Sequence, residues 1–282
     1  MRSGISVLIV TKNEAFDLPG CLESVRWCDD VHVHDSFSSD DTVAVARRFG
    51  ARVTQHVEGD RDLAFGGDEA AHRNWGLRNI PFKHPWVFLL DADERVPPEL
   101  VTEMTLAVQD TPHAAFQIRR RDFLGSTWLR HVQATPYYLR LFRPACLRFE
   151  RLVNPVSVVD GSIGRLGGYF DHYPFSKGIA HWIAKHNHYS TLEAKQIVNN
   201  RRAHAGFSPL KAFTASEFHE RRYHQKELFY RLGARPLVKF LILFIAKRGF
   251  LDGRAGFTYA MLQSMYEYMI VLKSRELEHA KP

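Results

Sequence analysis

Cysteine is scarce. Cys21, Cys28 and Cys146 are the only three, an odd number without metal-ligand spacing. They form neither a disulfide framework nor a thiolate zinc site, and free thiols suit a reducing cytoplasm. Long apolar runs are also missing. The densest, Phe240 to Ala246, has seven residues, whereas spanning a bilayer takes roughly 20. Ile5 to Thr11 is too short for a secretory leader and is followed by charged residues rather than a cleavage site. Internal repeats and low-complexity linkers are absent, which excludes solenoids and tethered arrays. What remains, 282 residues with 45% hydrophobic and 24% charged side chains, is ordinary for a folded globular chain.

Charge is unevenly distributed. Residues 201–282 carry 15 Lys or Arg against 7 Asp or Glu, and the first 200 carry 23 bases against 24 acids. The basic third lacks a nucleic-acid reading motif, and its bases alternate with an apolar face, so nucleic acid is not an expected partner. The non-enzymatic alternative for the chain is a basic module that binds membrane or nucleic acid through this third.

The first hundred residues alternate between strand and helix patterns. Ile5 to Thr11 is a continuous apolar run suited to a buried parallel strand, Asp30 to Asp35 alternates, and Asp41 to Phe49 is helical and stops at Gly50. Ala51 to His56 is a third strand, Asp68 to Asn79 a helix, and Trp86 to Leu90 a strongly apolar strand. Pro98 suits the first turn of a helix to about Val108. Shorter β-like segments follow, including Phe116–Phe123 and Tyr137–Phe142, and the pattern is helical after Gly178. The expected fold class is α/β, a mixed, mainly parallel sheet with helices on both faces and a helical C-terminal extension. Ligands of such sheets bind at the carboxyl ends of the strands. Thr11-Lys12-Asn13-Glu14, Asp35-Ser36 and Asp91-Ala92-Asp93 each follow an apolar strand, so all three are expected to face one crevice.

Two carboxylates one residue apart at a strand end, Asp91 and Asp93, can meet a hard cation such as Mg²⁺ or Mn²⁺ that keeps positions open for substrate phosphates. A solvated acidic turn is the plainer alternative. Asp35 to Thr42 (DSFSSDDT) has the chemistry of a helix cap, or of a carboxylate accepting hydrogen bonds from a base or ribose. Lys12 can screen a phosphate. In His181 to Tyr189, helical spacing aligns Trp182, Lys185 and Tyr189, which suits a diphosphate or acceptor contact or an amphipathic helix. His186 and His188, two apart on a helix, diverge too far to share zinc.

TKNE after the first strand, DSFSSDDT after the second, then HRNWGL and FLLDADERVPPEL together resemble the inverting family 2 glycosyltransferases of the GT-A fold. The similar subgroup includes lipopolysaccharide-core glucosyltransferases and polysaccharide-biosynthesis enzymes. YYLRLFR, WIAKHNHYS and GFLDGRAGF extend the likeness more loosely. The resemblance implies that Thr11, Asn13 and Glu14 border the nucleoside and Asp35 bonds the base. It implies Arg73 near the diphosphate or nucleoside, Asp91 at ribose or metal, and Asp93 on the metal, with a UDP-sugar donor and a glycan or lipid-linked acceptor. The subgroup's usual downstream carboxylate is replaced here by Val153-Asn154-Pro155, and proline cannot serve as a base. Asp160, then Asp171 and Glu150, are the substitutes for the general base that inversion requires. The enzymatic alternatives are a nucleotidyltransferase or a phosphohydrolase using the same D-x-D.

The expected organisation is a nucleotide-sugar-binding half at 1–113, an acceptor-facing half at 114–200 and a basic helical extension at 201–282. Residues 235–272, apolar with Lys239, Lys247 and Arg248 at the borders of the densest run, suit either a core helix or an anionic membrane surface. The expected location is cytoplasmic, peripheral on the inner face of the membrane.

Overall fold

The computed structural model describes residues 4–56, 69–150, 156–202, 206–232 and 234–279. The Val153-Asn154-Pro155 substitution lies outside the described residues. The first hundred residues form β1 (Ile5–Thr11), α1 (Leu18–Ser24), β2 (Val31–Asp35), α2 (Thr42–Arg48), β3 (Arg52–Gln55), α3 (Glu69–Asn79), β4 (Trp86–Asp91), β5 (Glu94–Arg95) and α4 (Pro98–Ala107). Then come β6 (Ala115–Leu124), β7 (Thr127–Trp128), β8 (Tyr137–Phe142), β9 (Leu147–Glu150), β10 (Val156–Val159) and β11 (Ile163–His172). The remainder is helical: α5 (Gly178–Arg202), α6 (Lys211–Thr214), α7 (Phe218–Tyr230), α8 (Arg235–Leu241) continued by a π-helical turn at Ile242–Ala246, and α9 (Gly253–His279).

The chain packs as two compact units, residues 1–125 with 135–176, and residues 126–134 with 177–282. In the first, the strand order is β3-β2-β1-β4-β8-β6-β11-β5. The pairs from β3 to β4 are parallel, as is β6 with β11, while β8 and β5 pair antiparallel to their neighbours. Side-chain alternation explains the apolar runs of β1 and β4. Ile5, Val7 and Ile9 with Trp86, Phe88 and Leu90 face α1, α2 and α4, whereas Leu8, Val87 and Leu89 face α3 and Phe149. Ser6, a polar exception within β1, is fully buried and donates to Asp30 at 2.5 Å. The small β9–β10 hairpin stands apart from the main sheet.

Helices of the second unit bury a narrow seam of Ala194, Ile197 and Ile270 between α5 and α9. Lys273 Nζ reinforces it, reaching Asn187, Ser190 and Thr191 within 2.8 Å. Through this joining of α5 to α9, residues 177–200 lie in the same compact unit as 201–282, and strands on both sides of residue 113 belong to one continuous sheet.

The face covered by α3 holds two stacked imidazoles, His34 and His72, with centroids 3.8 Å apart. His72 accepts or donates to Ser36 Oγ through Nε2 at 3.1 Å, while its buried Nδ1 has no partner among the described residues. Charging the ring would strand an N–H. Burial, with His34 beside it, pushes the pKa of His72 down to about 3. The unfolded chain therefore takes up this proton near pH 6.5 and the folded one does not, so stability is full above pH 6.5 and falls below it. We expect urea denaturation of the wild type to lose up to about 1.4 kcal/mol per pH unit from this group between pH 6 and 4, and His72→Gln to show a shallower slope. Equal slopes in the two proteins would remove His72 as the cause.

Candidate active site

Parallel register sets Thr11 beside Asp35 and Val10 beside Asp91, so the polar groups that end β1, β2 and β4 emerge along one edge, as the strand pattern requires. The first two are already joined. Thr11 Oγ1 donates to Asp35 at 2.8 Å, as do Gln55 Nε2 at 2.8 Å and the Ser38 amide at 2.9 Å. Asp35 is fully buried and organises this edge. Asn13, in the left-handed region at φ 56°, accepts from the Ser39 amide at 2.8 Å and donates its own N–H to the Ser38 hydroxyl at 2.8 Å. The Glu14 amide donates to Thr42 Oγ1 at 2.8 Å. Lys12 Nζ donates to the Ser36 and Phe37 carbonyls at 2.8 and 3.3 Å. Thus the TKNE and DSFSSDDT segments form one hydrogen-bonded shelf, in which Lys12 fastens the two loops.

Each residue of HRNWGL has a separate task. His72 bonds Ser36, and Arg73 Nη2 reaches Asp91 at 3.3 Å. Asn74 brackets Phe149, donating to its carbonyl and accepting its N–H, both at 2.8 Å. Trp75 stacks on His56 at 3.9 Å. A Cβ at Gly76 would lie 3.0 Å from the His34 ring, close enough that the ring would have to shift, and Leu77 joins the core. Through Phe149, over which Arg73 lies at 5.5 Å, the motif also fixes the β9–β10 hairpin beside Asp91.

The acidic turn after β4 is surrounded by cations. Arg140, from β8, donates to Asp91 at 3.0 Å and to Glu94 at 2.6 Å, and Glu94 accepts the Asp91 amide at 2.9 Å. Burial works against ionisation of Asp91, yet Arg140 and Arg73 hold its carboxyl well below the usual carboxylate range. Burial pushes Glu94 up to about 7 in spite of Arg140, with Asp91 adding to the rise. Arg95 pins the backbone of the turn, donating to the Ala92 and Glu94 carbonyls at 2.9 and 2.8 Å. Asp93 has a different neighbour: His172 Nε2, at the end of β11, lies 3.3 Å from its carboxylate, and the Tyr173 amide donates to the Asp93 carbonyl at 2.9 Å. The other ring nitrogen of His172 bonds buried Asp122 at 2.5 Å. Burial alone would lower His172, but Asp93 and Asp122 raise it to about 9.

No group of three or more His, Cys, Asp or Glu suited to a metal occurs among the described residues. Asp93 and His172 nonetheless supply an oxygen and a nitrogen side by side, and Mn²⁺ or Mg²⁺ commonly takes only one or two protein ligands beside substrate oxygens. Asp122 on Nδ1 leaves Nε2 of the neutral ring as the lone-pair nitrogen, the arrangement by which carboxylates orient metal-binding histidines. Both oxygens of Asp91 instead face arginines. Asp93 and His172 thus stand together, while Asp91, the other carboxylate expected at a metal, is engaged by Arg73 and Arg140.

Of the three carboxylates expected to act as base, Asp160 is the most remote. Its amide bonds the Cys146 carbonyl, at the open end of the hairpin, opposite Glu150, and the following turn leads into β11, which starts beside β6 near the amino end of β4. From Val87 to Asp91 is roughly 13 Å of strand at about 3.3 Å per residue. Asp171, adjacent to His172 in β11, projects from the opposite face of the sheet and is ion-paired with Arg121 at 2.6 Å. Glu150 ends β9, one residue beyond the Phe149 held by Asn74, and is exposed. Trp182 and Lys185 belong to α5 of the helical unit, where Trp182 is buried and stacks on His186 at 3.6 Å. Sequence reasoning missed Arg140, Glu94, His172 and Asp122. A lone Arg in the apolar strand YYLRLF was a usable signal for a buried ion pair; nothing in the sequence joins Asp122 to His172 fifty residues later.

Residues 6–169, more than half of the chain, match the family described as Glycosyl transferase family 2. The chain belongs to that family. It is a glycosyltransferase, and similar proteins carry related names. The "Lipopolysaccharide core biosynthesis glycosyltransferase LpsC" of Rhizobium meliloti is 25% identical over 281 residues, covering 95% of this chain and 91% of LpsC. An uncharacterized glycosyltransferase of Rickettsia typhi is 26% identical over 289 residues, covering 97% of this chain and 87% of its own length. Among solved structures, the mannosyltransferase PcManGT from Pyrobaculum calidifontis, in complex with GDP-Man and Mn²⁺, aligns over 98% of this chain and 88% of that one with 15% identity and a TM-score of 0.49. S. aureus TarS 1-349 in complex with UDP aligns over 100% and 92% with 14% identity and a TM-score of 0.46.

The Arg140 ion pairs should be costly to break from one side. Arg140→Ala strands Glu94 and Asp91, and should destabilise by about 3–5 kcal/mol in urea denaturation. Arg140→Met combined with Glu94→Gln should recover part of that loss. A single-variant effect near zero would mean that the turn does not depend on this countercharge.

Proposed function

We propose that this family 2 glycosyltransferase is metal-dependent and inverting, and moves a sugar from a nucleotide-sugar, a UDP-sugar, to a cell-envelope glycan or lipid-linked acceptor. The observation that carries the reading is Asp93 beside His172 at the carboxyl end of β4, 3.3 Å apart and backed by Asp122. The likeness to LpsC supports the acceptor class. An anionic membrane surface, under residues 235–272, is the second partner, met from the cytoplasmic side.

In this reading the shelf of Thr11, Asn13, Glu14 and Asp35 borders the nucleoside. Arg73 screens the diphosphate, and its bond to Asp91 keeps the guanidinium at the edge of the cleft. Asp93 and His172 hold the cation, and Asp122 fixes the imidazole so that Nε2 faces it. When bound, Mn²⁺ or Mg²⁺ neutralises charge on the departing diphosphate as a Lewis acid. Arg140 and Glu94 hold the Asp91–Asp93 turn in place for this. Inversion also needs a base to take the acceptor hydroxyl's proton. Glu150 is the first to test, because the Asn74–Phe149 clamp keeps its end of the hairpin beside Arg73.

Thermal melts with UDP and Mn²⁺ test the metal site without knowledge of the acceptor. The wild type should gain stability from the pair beyond UDP alone, and Asp93→Asn and His172→Asn should lose the metal-dependent part while keeping their own melting cooperativity. Asp122→Asn should weaken Mn²⁺ binding about 10–100-fold. Undiminished metal-dependent stabilisation in Asp93→Asn would overturn the assignment. With acceptor identified, Glu150→Gln should lower kcat about 10²–10⁴-fold with UDP binding unchanged; full turnover would place the base elsewhere.

A further inference from the structure

The helical unit turns part of its apolar surface outward. α8, its π-helical continuation and α9 form a hairpin: Ser264 Oγ donates to the Pro236 carbonyl at 2.7 Å and Arg235 meets Glu267 at 2.9 Å, while at the other end Phe257 packs against Phe240 and Phe244. Exposure on α9 follows the helical repeat. Tyr259, Ala260, Leu262 and Ile270 are buried, whereas Phe257, Met261, Met265, Tyr268 and Leu272 lie outward on one stripe, with Met265 50% exposed. On the neighbouring helix Leu237, Leu241 and Ile245 form a second outward stripe, and at the turn Phe250 and Leu251 are 48% and 56% exposed. Soluble surfaces scatter such residues singly; a contiguous group marks an interaction site.

The turn is held firmly. The Asp252 carboxylate accepts the His131 and Val132 amides at 2.9 and 2.8 Å and the His131 ring at 2.6 Å. Gly256 allows the close approach of the two arms, since a Cβ there would lie 2.0 Å from the Gly249 carbonyl oxygen. Phe250 and Leu251 are thus displayed on a fixed frame.

Charge decides the occupant. Between Arg235 and Leu272 the only acids are Asp252 and Glu267, and both are buried and engaged. The exposed charges at the turn are Lys247, Arg248 and Arg254, all positive. A second copy docked across a two-fold axis would set these bases against their own images with no exposed acid to meet them. We propose that this hairpin face is a membrane-docking surface, with Leu241, Ile245, Phe250, Leu251, Phe257 and Met261 entering the acyl boundary of an anionic leaflet and Lys247, Arg248 and Arg254 meeting its headgroups. No helix among the described residues is long and apolar enough to cross a membrane, so the hairpin lies in the interface. The inference rests on the membrane partner proposed for residues 235–272 and gives that partner a particular face; it holds whether or not the donor site is as assigned.

Cosedimentation of the full chain with phosphatidylcholine vesicles, with and without phosphatidylglycerol, tests it. The wild type should pellet with the anionic vesicles and be released by salt. Phe250→Ser with Leu251→Ser should abolish pelleting, and Lys247→Gln or Arg254→Gln should each weaken it about five-fold, with melting temperatures and UDP stabilisation unchanged. Asp93→Asn should pellet like the wild type, which separates this inference from the metal site. Failure to pellet with either vesicle, or equal pelleting by the Phe250/Leu251 variant, overturns it. So does light scattering that shows a dimer lost in that variant without vesicle binding.

Discussion

The structure of the candidate site depends on neutralising an acidic turn at the end of a buried strand. Asp91, Asp93 and Glu94 follow five apolar residues of β4, at a point where water is partly excluded. Three carboxylates so close would repel each other and push their pKa values up. Arg140, Arg73 and His172 offset this, each from a different element: β8, α3 and β11. The sheet order brings those elements to the carboxyl end of β4, and burial of the apolar runs of β1 and β4 on both faces keeps these two strands in the interior of the sheet. The countercharges divide the turn into two parts. Asp91 and Glu94 share Arg140 and are structural in character, while Asp93 pairs with a histidine whose second nitrogen is anchored to Asp122. A histidine so held can exchange its proton for a metal ion without moving, whereas the arginines of Asp91 have no such alternative. The proposed cation site accordingly rests on Asp93 and His172.

The helical unit handles charge in the opposite way. Its hairpin buries its acids, as acceptors for backbone amides at Asp252 and as the partner of Arg235 at Glu267, and leaves Lys247, Arg248 and Arg254 outside among apolar side chains. Burying an acid costs desolvation, which amide and ring donors offset at Asp252 and the Arg235 charge offsets at Glu267. The result is a surface without negative charge, a property that neither net charge nor hydropathy averaged over the unit displays.

Much of the nucleotide-side architecture was legible from sequence. Strand runs and turn signals located β1, β2, β3, β4 and α2, α3, α4 to within a residue or two, because burial on both faces leaves a continuous apolar record and helix ends carry Gly50 and Pro98. Helix α1 was overlooked, being short and interrupted by Pro19 and Gly20. The three polar groups at the strand ends met along one edge for a topological reason: parallel neighbours point their carboxyl ends the same way. HRNWGL was recognisable as a motif, but its division of labour was not, since each side chain serves a partner distant in sequence.

The base candidates show the limit most clearly. Asp160, Asp171 and Glu150 are equivalent by sequence position, all acids downstream of the acidic turn. Strand register carried Asp160 toward the amino end of β4, and alternation turned Asp171 to the opposite face. Local pattern alone determined where the chain forms strands, where it turns, and that acids and polar loops gather at one sheet edge, because these follow from near-neighbour sterics and burial periodicity. Pairing across the fold decided which acid faces an arginine, which faces His172, and which apolar residues of the last third stay outside, because electrostatic partners and covered faces are properties of three-dimensional proximity that a linear pattern does not encode.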